Sequence, residues 1–559
     1  MTPSGGPTPT WAPTLAAALA EALPRLHGVP GDPLIGELIA ALSDALASGE
    51  LQVDLTGAAP EAISSEGWPQ AHRRSLATSP LAAEPDGPLV LVDGHRLMWR
   101  RWQQQRQRVL TDLIARARRQ PDVPQAESAD DTELLAPLDG RQRQAVRAVA
   151  HHGLVLLEGG PGTGKTSTVA AMIAAARAAT PELRIHLAAP TGKAAARLRS
   201  ATSGQLPCTT LHRLLESRGG SFGRDRRRPL ELDLLVVDEV SMVDLGLMEA
   251  LLDALPSRCR LVLVGDPAQL PPIAPGAVLL DLQQQPWRQD LAQAAITLTT
   301  TYRNSGAIAA VASALRANLG KGQEVDPEQS PGPLAGIQKQ LATLGPGDNL
   351  RWIEARPPLL PAELITPLRR HQQQLRNLAE GCGPEDVAIQ AELLALRDRL
   401  LVLTPVRQGA WGLEAIHRAL LGELERRPPL DWPAGTPVLC TRNRPELGLA
   451  NGDVGILIGS SADRSQRRIV FGSPGLEIMP LHPAQLAGAA EAALALTVHK
   501  AQGSEARQVI VLLPPGRTDP RLLYTALTRA SEQALLITPP VRAGLDPIED
   551  NNGPHAKEK

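Results

Sequence analysis

From Leu138 onward, short apolar runs alternate with stretches whose apolar residues recur at helical spacing. Leu154 to Leu157 is one such strand-like run and is followed by the helix-compatible stretch Ser167 to Arg177; a second apolar run, LLVV, ends at Asp238. Strands and helices in alternation predict parallel βαβ architecture. The stretch EVDPEQSPGPLAG near Glu324 breaks the pattern, so residues 325–400 are expected to form an irregular insertion with one helical piece, Val387 to Leu400. Alternation resumes at LLVLTPVRQG, and patches around Val438, Val454 to Ile458 and Ile469 to Phe471 predict a small β-rich insertion at about 430–485.

Before Leu138 the pattern is different. The segment to about Arg119 is rich in Ala and Leu and reads as mainly helical, with one strand-like run, Pro88 to Gly94. The run RLMWRRWQQQRQRVLTDLIARARR that follows predicts a long helix with an arginine bias, and the ordinary expectation for such charge is a solvated face. QPDVPQAESADDTE is Pro-rich and acidic, as a flexible boundary would be. No internal repeat is visible, and the tail after Asp546 is expected to be disordered.

The chemistry begins at GGPGTGKT, that is Gly159, Gly160, Pro161, Gly162, Thr163, Gly164, Lys165 and Thr166. A glycine-rich turn between strand and helix aims successive backbone N–H groups at phosphate oxygens and adds the positive end of the helix dipole. Lys165 can reach the β- and γ-phosphates, and the Thr166 hydroxyl can ligate Mg²⁺. About seventy residues on, the LLVV strand ends in Asp238 and Glu239. Asp238 is suited to hold Mg²⁺ through water, and Glu239 to orient or deprotonate an attacking water. The pair implies hydrolysis of a nucleoside triphosphate.

Composition sets outer bounds. With 559 residues the chain has room for several cores, and 57 Lys plus Arg against 59 Asp plus Glu leave no global basic field to coat nucleic acid or a membrane surface. Cys208, Cys259, Cys382 and Cys440 are widely spaced, which disfavours a zinc or iron–sulfur site and fits a reducing cytoplasm. No apolar run approaches the ~20 residues needed to span a bilayer, and the first residues do not resemble a signal peptide.

Further short segments follow in a fixed order. They are LDGRQRQAV (Leu138 to Val146), LAAPTGKAAARL (Leu187 to Leu198), TTLHRLL (Thr209 to Leu215), GDPAQLPP (Gly265 to Pro272), TYR (Thr301 to Arg303), ALTVHKAQGSE (Ala495 to Glu505) and LLYTALTRA (Leu522 to Ala530). Taken with the two ATP motifs, the series resembles superfamily 1 helicases of the 5′-to-3′ branch, and most closely the RecD family. The resemblance covers about 138 to 535, apart from 325–400.

That resemblance implies an α/β fold with two RecA-like parallel-sheet motor lobes, a small β-rich insertion and a mainly helical N-terminal domain. The implied divisions are a docking domain at 1–119, a linker at 120–137, an ATP-binding lobe at 138–320, an irregular stretch leading into the second lobe at 321–400, that lobe at 401–545 and a disordered tail at 546–559. It implies adenine recognition by Gln142 and stacking by Tyr302, a ribose contact from Glu505, γ-phosphate sensing by Gln269, and arginine fingers at Arg303 and Arg529. It also implies a single-strand track built from Pro190, Thr191, Thr210, His212, Thr497, His499 and Lys500, groups that grip phosphates without reading bases. His212 has a structural role as its equal alternative. The two tyrosines of the chain, Tyr302 and Tyr524, both fall in these motifs; simple core packing is the alternative for Tyr524. NRPELGLANGDVG (Asn443 to Gly455) also resembles a RecD-type segment, with Asn451-Gly452 expected to form a plain β-hairpin turn.

Two N-terminal segments, Glu37 to Leu55 and PLVLVDGHRLMWRRW, resemble the domain by which RecD subunits dock on RecC. The implied assembly therefore contains RecB-like and RecC-like chains, acts on single-stranded and duplex-end DNA, and keeps its nuclease in another subunit. An autonomous helicase would usually carry helix-hairpin-helix units, which the sequence does not display. A non-motor component that binds ATP only to stabilise a complex is opposed by the presence of Asp238, Glu239, Arg303 and Arg529 together.

Overall fold

The structure, a computed structural model, describes residues 11–540 except 65, 122–134, 203, 205, 303–305, 320–333, 335–336, 461, 473–477 and 516–518. Arg303, most of the 120–137 linker, most of EVDPEQSPGPLAG and the 546–559 tail lie outside the described residues.

The N-terminal region begins with helices α1 (Trp11–Leu26) and α2 (Pro33–Ala47) and contains a three-stranded antiparallel sheet of β1 (Gln52–Asp54), β2 (Leu89–Val92) and β3 (Arg96–Trp99), with β3 central. Asp32 caps α2 by accepting from the Leu34 N–H, with Pro33 in the first turn. Helix α2 buries Ile35, Leu38, Ile39 and Leu42 against the apolar side of this unit. Arg96 to Trp99, expected to open the long helix, forms β3 because both of its edges are hydrogen-bonded to neighbouring strands. Helix α3 starts only at Arg100 and runs to Arg118.

Helix α3 meets the expectation of a solvated arginine face only in part: Arg101, Arg108 and Arg118 are exposed, but the helix also packs on the first lobe. Its Val109, Leu110, Leu113, Ile114 and Ala117 are buried in one cluster with Leu247, Met248, Leu251 and Leu252 of the ATP-binding lobe. Arg116 donates to the carbonyls of Leu255 and Pro256 at 3.0 and 3.1 Å, while Arg106, Arg108 and Arg118 pair with Asp281, Glu249 and Asp290. The apolar contacts contribute roughly 1.5–3 kcal/mol for each fully buried aliphatic side chain, whereas an exposed ion pair such as Arg108–Glu249 contributes about 0–1 kcal/mol.

The first lobe is a six-stranded parallel sheet, β4 (Leu154–Gly159), β5 (Ile185–Ala189), β6 (Cys208–Thr210), β7 (Leu234–Val237), β8 (Arg260–Gly265) and β9 (Ala295–Leu298), in the order β9-β4-β8-β7-β5-β6. Helices α4 (Gly140–His151), α5 (Lys165–Ala179), α6 (Gly192–Ala201) and α7 (Leu245–Ala254) connect and cover it. Both faces are buried: Leu154 and Leu156 enter one cluster, Val155 and Leu157 the other. A strand covered on both sides must be apolar throughout, which is why β4 reads as an unbroken run.

The second lobe contains α8 (Ala307–Leu319), β10 (Leu350–Glu354), α9 (Ala362–Ala379), α10 (Val387–Arg397) and β11 (Leu400–Thr404). The stretch expected to be irregular is thus largely ordered from Ile337 onward, and Leu400 opens a strand instead of ending a helix. A five-stranded antiparallel sheet follows, formed by β12 (Pro437–Cys440), β13 (Val454–Ile458), β14 (Arg468–Phe471), β15 (Met479–Leu481) and β16 (Ala490–Ala492) in the order β15-β14-β13-β12-β16. The chain then returns through β17 (Leu496–Thr497), β18 (Ala506–Leu512), α11 (Pro520–Leu527) and β19 (Ala530–Thr538) to complete a parallel sheet in the order β10-β19-β18-β11-β17. Asn451-Gly452 is the last turn of a longer connection between β12 and β13, not a two-residue hairpin, with Gly452 at φ 101°. Among the described residues no helix is long and apolar enough to cross a membrane.

Candidate nucleotide site and nucleic-acid track

Strand β4 is an interior strand of its sheet, between β9 and β8, and delivers Gly159 to the carboxyl edge, where the chain turns through residues 160–164 into α5. Gly162 and Gly164 take φ of 73° and 80°, values that cost a side-chain-bearing residue free energy and glycine very little. A Cβ on Gly159 would stand 2.5 Å from Thr163 Oγ1, so the loop closes only without one. The Lys165 ammonium curls into the loop and donates to the carbonyls of Gly159 and Gly160 at 2.8 and 2.9 Å. Thr166 lies half-buried in the first turn of α5.

Gln142 and Tyr302, 160 positions apart in sequence, meet at this loop. Asp139 caps α4 through a reciprocal pair of bonds with Gln142, at 2.8 and 3.0 Å. A Cβ on Gly164 would stand 2.5 Å from Gln142 Nε2 and 3.6 Å from the Tyr302 ring. Tyr302 is held at both ends, its N–H donating to Gly162 at 2.8 Å and its hydroxyl to Asp139 at 2.7 Å, yet the residue is 59% exposed. An anchored, open aromatic ring beside a phosphate loop offers a face on which a base can stack.

On the other side of β4, β7 ends at Asp238 and Glu239. The Asp238 N–H donates to Ala188 at 2.9 Å, and its carboxylate accepts from the Glu239 N–H at 2.8 Å. Glu239 sits at φ 53°, a left-handed conformation that costs a non-glycine residue on the order of 1–3 kcal/mol. Burial and then the Glu239 carboxylate push the Asp238 carboxyl up, while Lys165 pulls it down. Lys165, Asp238 and Glu239 therefore share one electrostatic site.

The GDPAQLPP segment leaves β8 and crosses to the second lobe. Ala268 and Leu270 are buried in that lobe's core with Leu522, Leu523 and Leu527. The Leu270 N–H donates to Thr525 Oγ1 at 2.9 Å, and Gln502 Nε2 donates to the Leu270 carbonyl at 3.1 Å. Fully buried Asp266 accepts from the Tyr524 hydroxyl at 2.6 Å. Tyr524 is therefore more than a core side chain: it bonds the lobes to one another, and burial followed by Asp266 raises its pKa. Gln269 is buried, and among the described residues its Oε1 has no hydrogen-bond partner, an arrangement that natural interiors rarely keep without use. Arg529 is buried against its own lobe, donating to the carbonyls of Thr525 at 3.1 Å and Ser504 at 3.4 Å.

Glu505 is placed against Arg197 of α6 at 2.6 Å, across the cleft between the lobes. Beside it Lys193 donates to Ser504 Oγ at 3.0 Å, and burial pushes its ammonium down to about 8. These two α6 cations were not among the residues the sequence singled out; the only local signal for them is their place in LAAPTGKAAARL.

The expected nucleic-acid contacts fall at strand ends and helix starts. Thr191 follows β5 and Thr210 ends the adjacent β6, and each caps the helix after it, accepting from Ala194 N–H and Arg213 N–H, each at 3.3 Å. Pro190 lies half-buried at the end of β5, and exposed His212 sits 6.2 Å from the Phe222 ring. In the second lobe Thr497 accepts from the Lys500 N–H at 3.4 Å, and burial lowers the pKa of His499. Lys500 Nζ donates to Asn451 Oδ1 at 2.5 Å, tying the β-rich insertion to this segment. A Cβ on Gly503 would stand 3.0 Å from Thr191 Oγ1, so the two halves of the track adjoin.

Glu158 was also missed. It is 1% exposed at the root of the phosphate loop and is bonded by Gln283 at 2.5 Å, Arg288 at 2.9 Å and Thr297 at 3.1 Å. Each partner lies more than 120 positions away.

The chain is similar to several known proteins. Residues 142–275 match the family described as AAA domain, and 492–537 match the UvrD-like helicase C-terminal domain. The RecBCD enzyme subunit RecD of Mycolicibacterium smegmatis is 35% identical over 547 residues, covering 90% of this chain and 89% of that protein. The ATP-dependent RecD2 DNA helicase of Deinococcus radiodurans is 32% identical over 432 residues, covering 74% of this chain and 51% of that protein. Among solved structures, Bacteroides Pif1 bound to single-stranded DNA is 17% identical, with 71% of this chain and 92% of that one covered at a TM-score of 0.37.

Proposed function

The chain belongs to the RecD family of ATP-hydrolysing DNA helicases, and from that premise we propose that it is the 5′-to-3′ motor subunit of a cytoplasmic exodeoxyribonuclease V. Its partners in this reading are RecB-like and RecC-like chains, and its substrate is the end of duplex DNA and the strands exposed there. Residues 1–119 are the docking domain and 138 to about 306 the first motor lobe; the boundary expected at 320 moves forward because α8 packs in the core of the second lobe, to which 321–400 leads and 401–545 belongs. The match to a RecBCD subunit along 90% of the chain supports the assembly, because it takes in the N-terminal region as well as the motor.

In the nucleotide site the loop amides and Lys165 bind the phosphates, Gln142 and Tyr302 hold the adenine, and Glu505 accepts from the ribose. Thr166 and Asp238 offer a hydroxyl and a carboxylate, oxygen donors suited to a hard cation such as Mg²⁺. When bound, that ion neutralises charge on the phosphates. Glu239 orients the attacking water, Gln269 senses the γ-phosphate, and Arg303 and Arg529 supply positive charge as the lobes close. Pro190, Thr191, Thr210, His212, Thr497, His499 and Lys500 grip the strand through its backbone.

One observation carries the motor reading: the segment that leaves the ATP-binding sheet is built into the core of the other lobe through Ala268, Leu270 and the Asp266–Tyr524 bond. Closure on ATP must therefore move the second half of the track relative to the first. The assembly is tested by purifying the tagged chain gently from its own cells and measuring its mass. A complex far above 59.4 kDa with two large additional chains, unwinding duplex ends and requiring this subunit for 5′-to-3′ movement, is the expected result. A lone monomer that unwinds 5′-tailed duplexes would instead make it an autonomous helicase and remove the docking role of 1–119.

A further inference from the structure

One face of α8 points into the cleft. Ala309, Ala312, Ser313 and Arg316 follow each other at helical spacing and line a cavity of about 220 Å³ whose opposite wall includes Gly160, Pro161 and Thr163 of the phosphate loop. The other face of the helix, carrying Ile308, Val311 and Leu315, is buried in the second lobe against α11. Small residues along two turns leave room for one long side chain, and Arg316 takes it. A Cβ on Gly160 would stand 3.1 Å from Arg316 Nη1, and the Gly160 carbonyl is the group that accepts from Lys165 at 2.9 Å. Two cations, one from each lobe, converge on the same loop residue.

Arg316 is not held there by a strong partner. Among the described residues its guanidinium makes one ion pair, to Asp266 Oδ1 at 3.9 Å, and the Asp266 carboxylate already accepts from the Ala268 N–H at 3.1 Å and the Tyr524 hydroxyl at 2.6 Å. Its side chain is 31% exposed, so it has both access to the cleft and freedom to turn.

We propose that Arg316 is a further catalytic arginine of this ATPase, delivered from the second lobe to the terminal phosphate beside Gly160. The proposal rests on the nucleotide site assigned above. In hydrolysis the water oxygen bonds to the γ-phosphorus as the bond to the β–γ bridging oxygen breaks. The water proton leaves toward Glu239, ADP departs with the bridging oxygen, and inorganic phosphate is the other product. Charge grows on the leaving oxygen and is spread over the γ-oxygens, and a planar guanidinium can donate to two such oxygens at once. Asp266 acts as its parking site when the cleft is empty of phosphate.

The test uses the full chain with single-stranded DNA and compares Arg316→Ala, Arg316→Lys and Lys165→Ala. Steady-state ATP hydrolysis is measured together with affinity for ADP and for ADP with aluminium fluoride, which imitates the phosphoryl group in transfer. For Arg316→Ala the expected result is a kcat lower by about 10²-fold or more, against 10³–10⁵ for arginine fingers in general, with KM for ATP within about threefold. Its affinity for ADP should stay unchanged while ADP–aluminium fluoride binding is lost, and Arg316→Lys should recover little because a point-like ammonium lacks the planar fork that donates to two oxygens at once. An Arg316→Ala enzyme that keeps its kcat and its aluminium fluoride affinity, whatever its melting temperature, would make the residue a strut for Asp266 and overturn the proposal. Lys165→Ala separates the two levels: it should lose ADP and ADP–aluminium fluoride alike, and normal binding of both would refute the nucleotide site itself and Arg316 with it.

Discussion

The two parallel sheets carry their functional groups in different ways. The first lobe builds with backbone: the phosphate loop, the left-handed Glu239 and the capped starts of the helices after β5 and β6 are all set by local φ/ψ and hydrogen bonds within a few residues. The second lobe works through side chains that cross the cleft, with Tyr524 reaching Asp266, Thr525 reaching Leu270, and Ser504 and Glu505 meeting Lys193 and Arg197. In the proposed function, a preformed backbone site would bind phosphate in any state of the motor, whereas side chains spanning the cleft would act only when it closes. That reading divides binding and triggering between the lobes.

That division can be broken at several points. Lys165→Ala should have the largest effect, lowering DNA-stimulated phosphate release by at least about 10³-fold with little change in folding, since it removes a positioned charge from the phosphates. Retained hydrolysis in a preparation free of other ATPases would refute the assignment. Leu270→Ala empties a nearly fully buried position, 3% exposed, in the core of the opposite lobe. It should cost about 2–5 kcal/mol in calorimetric stability and uncouple the lobes, so that basal hydrolysis persists while stimulation by DNA is lost.

Acidity should act on the second lobe next. Burial lowers His371 and His417 from 6.5 to about 4, so both are neutral in the folded state while the unfolded chain takes up protons. The stability they permit is complete above pH 6.5 and is lost as pH falls from 6.5 toward 4, at up to about 3 kcal/mol for each ring. A pH series of melting curves should show this slope, and replacing both with Gln should flatten it. The smallest effect belongs to Arg108→Ala, which removes an exposed pair with Glu249 from the α3 interface. It should change the melting temperature by no more than the equivalent of about 1 kcal/mol; a larger loss would mean that this interface rests on charge rather than on Val109, Leu113 and Ile114.

The stretch from Ile337 to Leu400 shows why part of the second lobe was illegible. Strand β10 is an edge strand in which only Leu350 is buried, so LRWIE carries no apolar run to read. Helix α9 buries Leu364, Leu368, His371 and Leu375 on one face, but Pro367 and a run of Arg and Gln obscure that stripe. The α3 arginines misled for the opposite reason: their acidic partners lie about 140 to 175 positions away, and local reading assigns unpaired charge to solvent.

By itself the sequence determined the phosphate loop, the Asp238-Glu239 pair, the alternation that makes parallel sheets and the family to which the chain belongs. Each of these depends on contacts between near neighbours or on an order of short motifs. Only the tertiary structure decided that Gln142 and Tyr302 flank Gly164, that Glu158 sits under the loop with Arg288, that α3 packs on the first lobe, and that Arg316 faces Gly160. These meetings join residues far apart in the chain, and their geometry follows from how two sheets and a helix pack, a collective result that no single segment encodes.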